Sequence, residues 1–135
     1  MLKIAFAGAF PRHLADPVRS YLTVPHEIVV ADDVAIVSRL SDVNVLVSLT
    51  FTREMAEVAH QLKLVQVPGA GVDRIDRAAL PPGAMLANAY GHETGIAEYV
   101  VGAMLSLTRS FPRLDAKLRQ GVWESQWAAD TSAPP

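Results

Sequence analysis

The sequence predicts an α/β fold: a flavodoxin-like, doubly wound parallel sheet of five strands, followed by long carboxyl-terminal helices. Three observations carry that expectation. Short apolar runs recur up to about residue 90, each is followed by a stretch with helical spacing, and the runs are continuous rather than alternating. Strands of that kind belong in a parallel sheet covered on both faces, with the helices as crossovers.

The elements come in order along the chain. Leu2 to Ala7 is an apolar β-type run, and "HLADPVRSYL" then places Leu14, Val18, Tyr21 and Leu22 at helical spacing. "EIVVA" at 27–31 and "DDVAIVSRL" form a second βα unit, with Asp32 or Asp33 placed to cap the helix. "NVLVSL" at 44–49 precedes "TREMAEVAHQL", where Thr52 is followed three residues later by Met55 instead of the acidic partner of a capping box. "LKLVQV" is a fourth strand, "DRIDRAAL" a short helix and "AMLANAY" a fifth strand. "ETGIAEYVVGAMLSLTRSF" then forms a long helix, and Pro112 kinks it or starts another through "RLDAKLRQGVW".

A chain of 135 residues is the size of one ordinary domain, large enough to bury about two-thirds of its unfolded surface. Half the residues are hydrophobic and the formal net charge is −2, which argues against disorder and against an electrostatic grip on nucleic acid. A small, roughly neutral partner fits better. With no cysteine, disulfides, thiolate nucleophiles and cysteine-rich zinc sites are excluded, and a reducing cytoplasm is the expected location. No secretory signal is visible. The run Ile96 to Leu107 is shorter than the roughly 20 residues that cross a bilayer and contains Glu98, so it reads as a buried helix and not as a membrane span.

The chemistry-bearing candidate is Gly69-Ala70-Gly71, at the carboxyl end of the fourth strand. Glycine allows a sharp turn, a positive φ and close approach of a bound group. Two readings stand side by side: a tight strand-to-helix turn, or a nest of backbone amides for a carboxylate or phosphate. A dinucleotide fingerprint would need a third glycine where Arg74 stands, and Gly8 in the first turn has no glycine partners. The chain therefore lacks a nicotinamide-cofactor cradle of its own. Asp73 and Asp76 have the spacing of a helix cap and a first-turn acid. His92-Glu93 begins an H-E-x-x-H pattern, but Ile96 occupies the second histidine position, so no metal site is expected. Glu98 should reach a partner or a helix edge. His13, His26 and His60 belong to no triad pattern, and Trp123 and Trp127 suit an anchor for a connection or interface.

Two segments together resemble the D-isomer-specific 2-hydroxyacid dehydrogenases, specifically their amino-terminal part. "LKLVQVPGAGVDRID", residues 62–76, is similar to that family's strand, glycine loop and D-x-I-D segment, and "LANAYGHETGIAEYVVGAMLSLTR", residues 86–109, to its strand and long interdomain helix with A-E. "GVW" and the proline-ended tail resemble the stretch before the family's cofactor domain. The resemblance implies a substrate-binding domain at 1–92, long interdomain or dimerisation helices at 93–123 and a linker toward an absent cofactor domain at 124–135. It implies an enzyme that reduces 2-oxo acids, or oxidises D-2-hydroxy acids, with NAD or NADP. The small carboxylate would be held by Gly69, Ala70, Gly71 and Val72 through main-chain N–H groups. Many relatives carry a threonine before A-E near the nicotinamide; Ile96 occupies that place here and Thr94 is the candidate in its stead.

The family's catalytic arginine, histidine and glutamate fall beyond residue 135, so no catalytic residue is assigned. On that reading the chain alone is a truncated, inactive substrate-binding half that binds no cofactor by itself, contacts neither nucleic acid nor membrane, and dimerises through 93–123. The alternative is an autonomous, non-catalytic flavodoxin-like module that binds an anion or a partner.

Overall fold

The computed structural model describes residues 1–124; of the linker expected at 124–135, residues 125–135, Trp127 included, lie outside the described residues. Contacts divide the chain into two units, Met1–Tyr90 and Gly91–Pro135. The first contains five strands: β1 (Leu2–Ala7), β2 (His26–Ala31), β3 (Val45–Ser48), β4 (Leu64–Gln66) and β5 (Met85–Ala87). All pair in parallel, in the order β2-β1-β3-β4-β5, which is the flavodoxin-like arrangement the sequence predicts.

The pleat sends successive side chains to opposite faces. Ala5, Ala7, Leu46 and Val65 face one core with Ile36, Leu40, Phe51, Met55 and Ile75. Ile4, Phe6 and Val47 face the other, with Ala15, Leu14 and Val18 packed against them. The second face is the thinner one. An apolar depression of about 420 Å³ remains there among Leu2, Ile4, Val45, Leu64, Pro68 and Ala89.

The helices of this unit are shorter than expected. "HLADPVRSYL" yields a 3-10 turn at Pro11–Leu14 and α1 (Ala15–Arg19). "DDVAIVSRL" forms only turns and a 3-10 segment at Val37–Arg39. Asp32 sets this up: its carboxylate accepts from the N–H groups of Val34 and Ala35 at 3.0 and 2.7 Å, and β-branched Val34, Ile36 and Val37 lower the helix propensity of the segment after it. α2 (Arg53–Val58) is capped by Thr52, whose hydroxyl accepts from Met55 N–H at 3.3 Å. The helix expected from Asp73 is a 3-10 turn at Arg77–Ala79, and its cap is Asp76, which accepts from Ala78 and Ala79. Asp73 instead lies in the turn before it.

The second unit holds α3 (Glu93–Thr108) and α4 (Phe111–Arg119). Pro112 starts a new helix and does not kink the old one: Ser110, at φ 54°, breaks the chain direction, and Pro112 sits in the first turn of α4. Arg113 and Lys117 both pair with Glu124 and fold the end of the described chain back onto α4. The expectation that Ile96 to Leu107 is a buried helix fails, since no residue of α3 is buried. Two helices alone cannot enclose an apolar helix on all sides. Glu98 is exposed and pairs with no cation among the described residues. No described helix is long and apolar enough to cross a membrane.

Candidate functional site

The loop that leaves β4 is stitched to its neighbours on both sides. Toward β5, Val67 N–H donates to Ala87 C=O at 2.8 Å and Ala89 N–H donates to Gly69 C=O at 3.0 Å. Asn88 Nδ2 donates to Ala70 C=O at 2.8 Å. Toward β3, Phe51 N–H donates to Arg74 C=O at 3.1 Å and Asp76 N–H to Phe51 C=O at 2.8 Å, a one-residue parallel bridge between Phe51 and Ile75. Phe51 and Ile75 are buried, so hydrophobic packing clamps the far end of the loop. Gln66 Nε2 donates to Val67 C=O at 3.0 Å.

Several of the loop's carbonyls and its amides thus have opposite fates. The C=O groups of Val67, Gly69 and Ala70 are all accepting hydrogen bonds, whereas the N–H groups of Gly69, Ala70, Gly71 and Val72 donate to nothing among the described residues. Gly71 is exposed and its three partners are half-buried. Free donors at the carboxyl end of a parallel strand are suited to an anionic oxygen.

The glycines do not serve the purpose expected of them. Neither Gly69 nor Gly71 has a positive φ; that conformation belongs to Gly8, Gly83, Gly91 and Gly121. What they give is clearance. A Cβ on Gly69 would meet no atom within 4 Å, and one on Gly71 would meet only Asp73 Oδ2, at 3.3 Å. The Asp73 carboxylate and the exposed Arg74 are the charges next to the loop.

The residues of the first unit do not fit a nicotinamide dinucleotide. The β1 turn has a single glycine, Gly8, and the Asp33 carboxylate stands over it, 2.9 Å from where a Cβ would be. A negative group there repels a pyrophosphate. Asp33, Thr50, Thr52 and Glu54 border a smaller hollow of about 200 Å³ at the same sheet end, again acidic. Thr94, the candidate cofactor contact, is an exposed first-turn residue of α3 and belongs to the second unit. There Glu93 accepts from Gly91 N–H at 2.8 Å, and hydrogen bonds from the Glu93 and Gly91 amides hold its carboxyl below the usual range. His13, His60 and His92 are exposed, His26 lies beside Val24 C=O, and no group of three or more potential metal ligands occurs among the described residues.

Asn88 and Gln66 went unnoticed in the sequence. The available signal was an asparagine inside an apparent strand, "AMLANAY", where asparagine is disfavoured; β5 in fact ends at Ala87, one residue before it.

Fold and loop define an open, all-parallel α/β domain with a donor-rich loop at one strand end. No protein-family profile matches the chain. The D-3-phosphoglycerate dehydrogenase of Methanocaldococcus jannaschii is 34% identical over 94 residues, which are 66% of this chain and 18% of that protein. The structure of a 2-hydroxyacid dehydrogenase from Ketogulonicigenium vulgare superposes with a TM-score of 0.66 at 28% identity, covering 99% of this chain and 43% of that one. An NAD-dependent formate dehydrogenase from Staphylococcus aureus, in complex with NAD, gives a TM-score of 0.66 at 21% identity over 91% of this chain and 42% of that one. The relatives and structural neighbours are dehydrogenases of the D-isomer-specific 2-hydroxyacid type, and the chain is similar to one part of them. It spans less than a fifth of the length of the curated relative and under half of each solved structure.

Proposed function

We propose that residues 1–92 are the substrate-binding domain of an NAD- or NADP-dependent D-2-hydroxyacid dehydrogenase, or 2-oxoacid reductase, and that Gly69, Ala70, Gly71 and Val72 hold the substrate carboxylate. One observation carries the reading: four consecutive amides free to donate, on a loop where the Gly69 and Ala70 carbonyls, which share peptides with the Ala70 and Gly71 amides, are already bonded. The amides give direction and partial positive charge to one end of a small 2-oxo or 2-hydroxy acid; the missing side chain of Gly69 leaves the approach open there, while at Gly71 the exposed Asp73 carboxylate has to turn aside for an anion. Hydride exchange with a nicotinamide is the chemistry that such a cofactor supplies. This chain's part is to bind and orient the acid.

Residues 93–123 then serve as interdomain and dimerisation helices, with Thr94 facing the cofactor, and 124–135 lead toward a cofactor domain. The 135-residue chain alone is expected to turn over nothing, because orientation of substrate against cofactor contributes roughly 7–11 kcal/mol of barrier lowering.

Titrating pyruvate into the labelled chain tests the carboxylate site. Hydrogen bonds to a charged group contribute about 1.5–3 kcal/mol each before association entropy is subtracted, so millimolar binding is expected, with the Ala70, Gly71 and Val72 amides moving. Gly71→Val should abolish those shifts and leave the fold intact, because the backbone there is unstrained. Shifts elsewhere with these amides unmoved would reduce the glycines to a turn.

A further inference from the structure

The free amides require an explanation, because a short connection can easily rotate a peptide plane and present carbonyls in their place. In a trans peptide the C=O of one residue and the N–H of the next lie in one plane and point in opposite directions. No described peptide bond is cis. Whatever grips the Ala70 carbonyl therefore aims the Gly71 N–H the opposite way, and whatever grips the Gly69 carbonyl aims the Ala70 N–H. The two grips are adjacent on one segment: Ala89 N–H on Gly69 C=O and Asn88 Nδ2 on Ala70 C=O.

We propose that Asn88 is a positioning residue for this site: its carboxamide fixes the Ala70–Gly71 peptide with the carbonyl turned toward the end of β5 and the N–H turned out to receive an anion. The assignment rests on the carboxylate reading for its purpose, though not for its geometry. Asn88 is suited to the task in three ways. It comes directly after β5, so its backbone is held by the sheet through the Ala87–Val67 and Ala89–Gly69 bonds on either side. It is half-buried, where a hydrogen bond competes with less water. Of the two grips, its own is the one made by a side chain; the neighbouring grip comes from the backbone and is sequence-independent. Of the carbonyls from Val67 to Ala70 that accept, Ala70's is the last before the exposed Gly71, and without Asn88 that peptide is free to turn over.

A chemically similar partner would not serve. An aspartate has the same shape and no donor when ionised, and it places a negative charge against a carbonyl oxygen. Asn88→Asp and Asn88→Ala thus remove the same bond, one without creating a cavity.

The test uses the full 135-residue chain, labelled with ¹⁵N and ¹³C. In the unliganded wild type, a through-hydrogen-bond coupling between Asn88 Nδ2 and the Ala70 carbonyl carbon and slowed exchange of the Asn88 carboxamide protons are expected; absence of both overturns the assignment before any variant is made. In Asn88→Asp and Asn88→Ala the Ala70 carbonyl and Gly71 amide resonances should move, the exchange of β3 and β4 amides should stay as in the wild type, and pyruvate should bind roughly three- to tenfold more weakly, the effect of one lost hydrogen bond. Wild-type affinity in both variants, or unmoved Ala70 and Gly71 resonances, overturns it. If the wild type shows the coupling but pyruvate leaves Ala70 and Gly71 unmoved, the carboxylate reading falls alone and Asn88 keeps its hold on the peptide.

Discussion

Gly8 and Asp33 meet at the end of β1, and the two residues bear different parts of the strain there. Gly8 has φ +96°, and a Cβ on it would lie 2.9 Å from Asp33 Oδ1. The carboxylate is exposed and can swing away, so the backbone angle dominates. Gly8→Ala should destabilise by about 1–2 kcal/mol, the cost of a side chain at positive φ, and adding Asp33→Ala should restore little of it in urea unfolding. The adjacent Asp32 responds to acid. Bonds from the Ala35 and then the Val34 amide, with Arg12 nearby, hold its carboxyl below the usual aspartate range. A folded value below the unfolded one means that ionised Asp32 contributes fully above its unfolded value and loses its contribution as pH falls through the folded value. An asparagine at that position would keep a neutral acceptor without the charge; accordingly Asp32→Asn should have a lower urea midpoint than the wild type at neutral pH, with the gap closing in acid. A gap independent of pH would refute the ionic contribution. The sequence narrowed the cap to two aspartates but could not divide their roles, because the division depends on Gly8 and β2 ending side by side. The same limit hid Asn88, whose partner is 18 residues away.

The strands were more legible than the helices. β3, β4 and β5 fall inside the apolar runs at 44–49, 62–67 and 84–90, because a parallel sheet covered by its crossovers favours continuous apolar runs, even in the edge strand β5, where Met85 is exposed. Helix length carried less signal. α1 and α2 have five and six residues, too few for a 3.6-residue period to be distinguished from a turn with apolar neighbours. In so short a helix the cap matters disproportionately. Thr52 adopts an extended backbone and accepts from Met55 N–H, and Met55 is buried in the core beside Phe51. Thr52→Ala should therefore cost about 1 kcal/mol, detectable as a lower urea midpoint and as faster exchange of the Met55 amide, with the β1 and β3 amides unchanged. Equal acceleration throughout the sheet would show that α2 does not open independently. Phe51 is also the residue that bridges to Ile75, so this cap lies one residue from the clamp on the glycine loop. That link between helix cap and site comes from the fold and is invisible in local sequence.

The two units differ in how they treat apolar surface. Met1–Tyr90 encloses two clusters of buried residues, whereas on α3 Val100, Val101, Met104, Leu105 and Leu107 are 42, 55, 61, 50 and 78% exposed, and Phe111 and Leu118 of α4 are exposed as well. Soluble monomers rarely present contiguous apolar patches beyond a few hundred Å². A partner that covered this helix would stabilise it, and the proposed dimerisation through 93–123 offers a second copy for that role. The 135-residue chain is accordingly expected to sediment as a dimer whose dissociation depends on concentration. Met104→Glu and Leu105→Glu place charge within the patch, where an unpaired carboxylate resists desolvation, and should shift the equilibrium to monomer while leaving the urea midpoint of the first unit unchanged. Both lie inside α3, away from its capping residues, so capping is not disturbed. A wild-type chain that stays monomeric at high concentration, or glutamate variants that still dimerise, would remove α3 from the interface and leave its apolar surface to another partner.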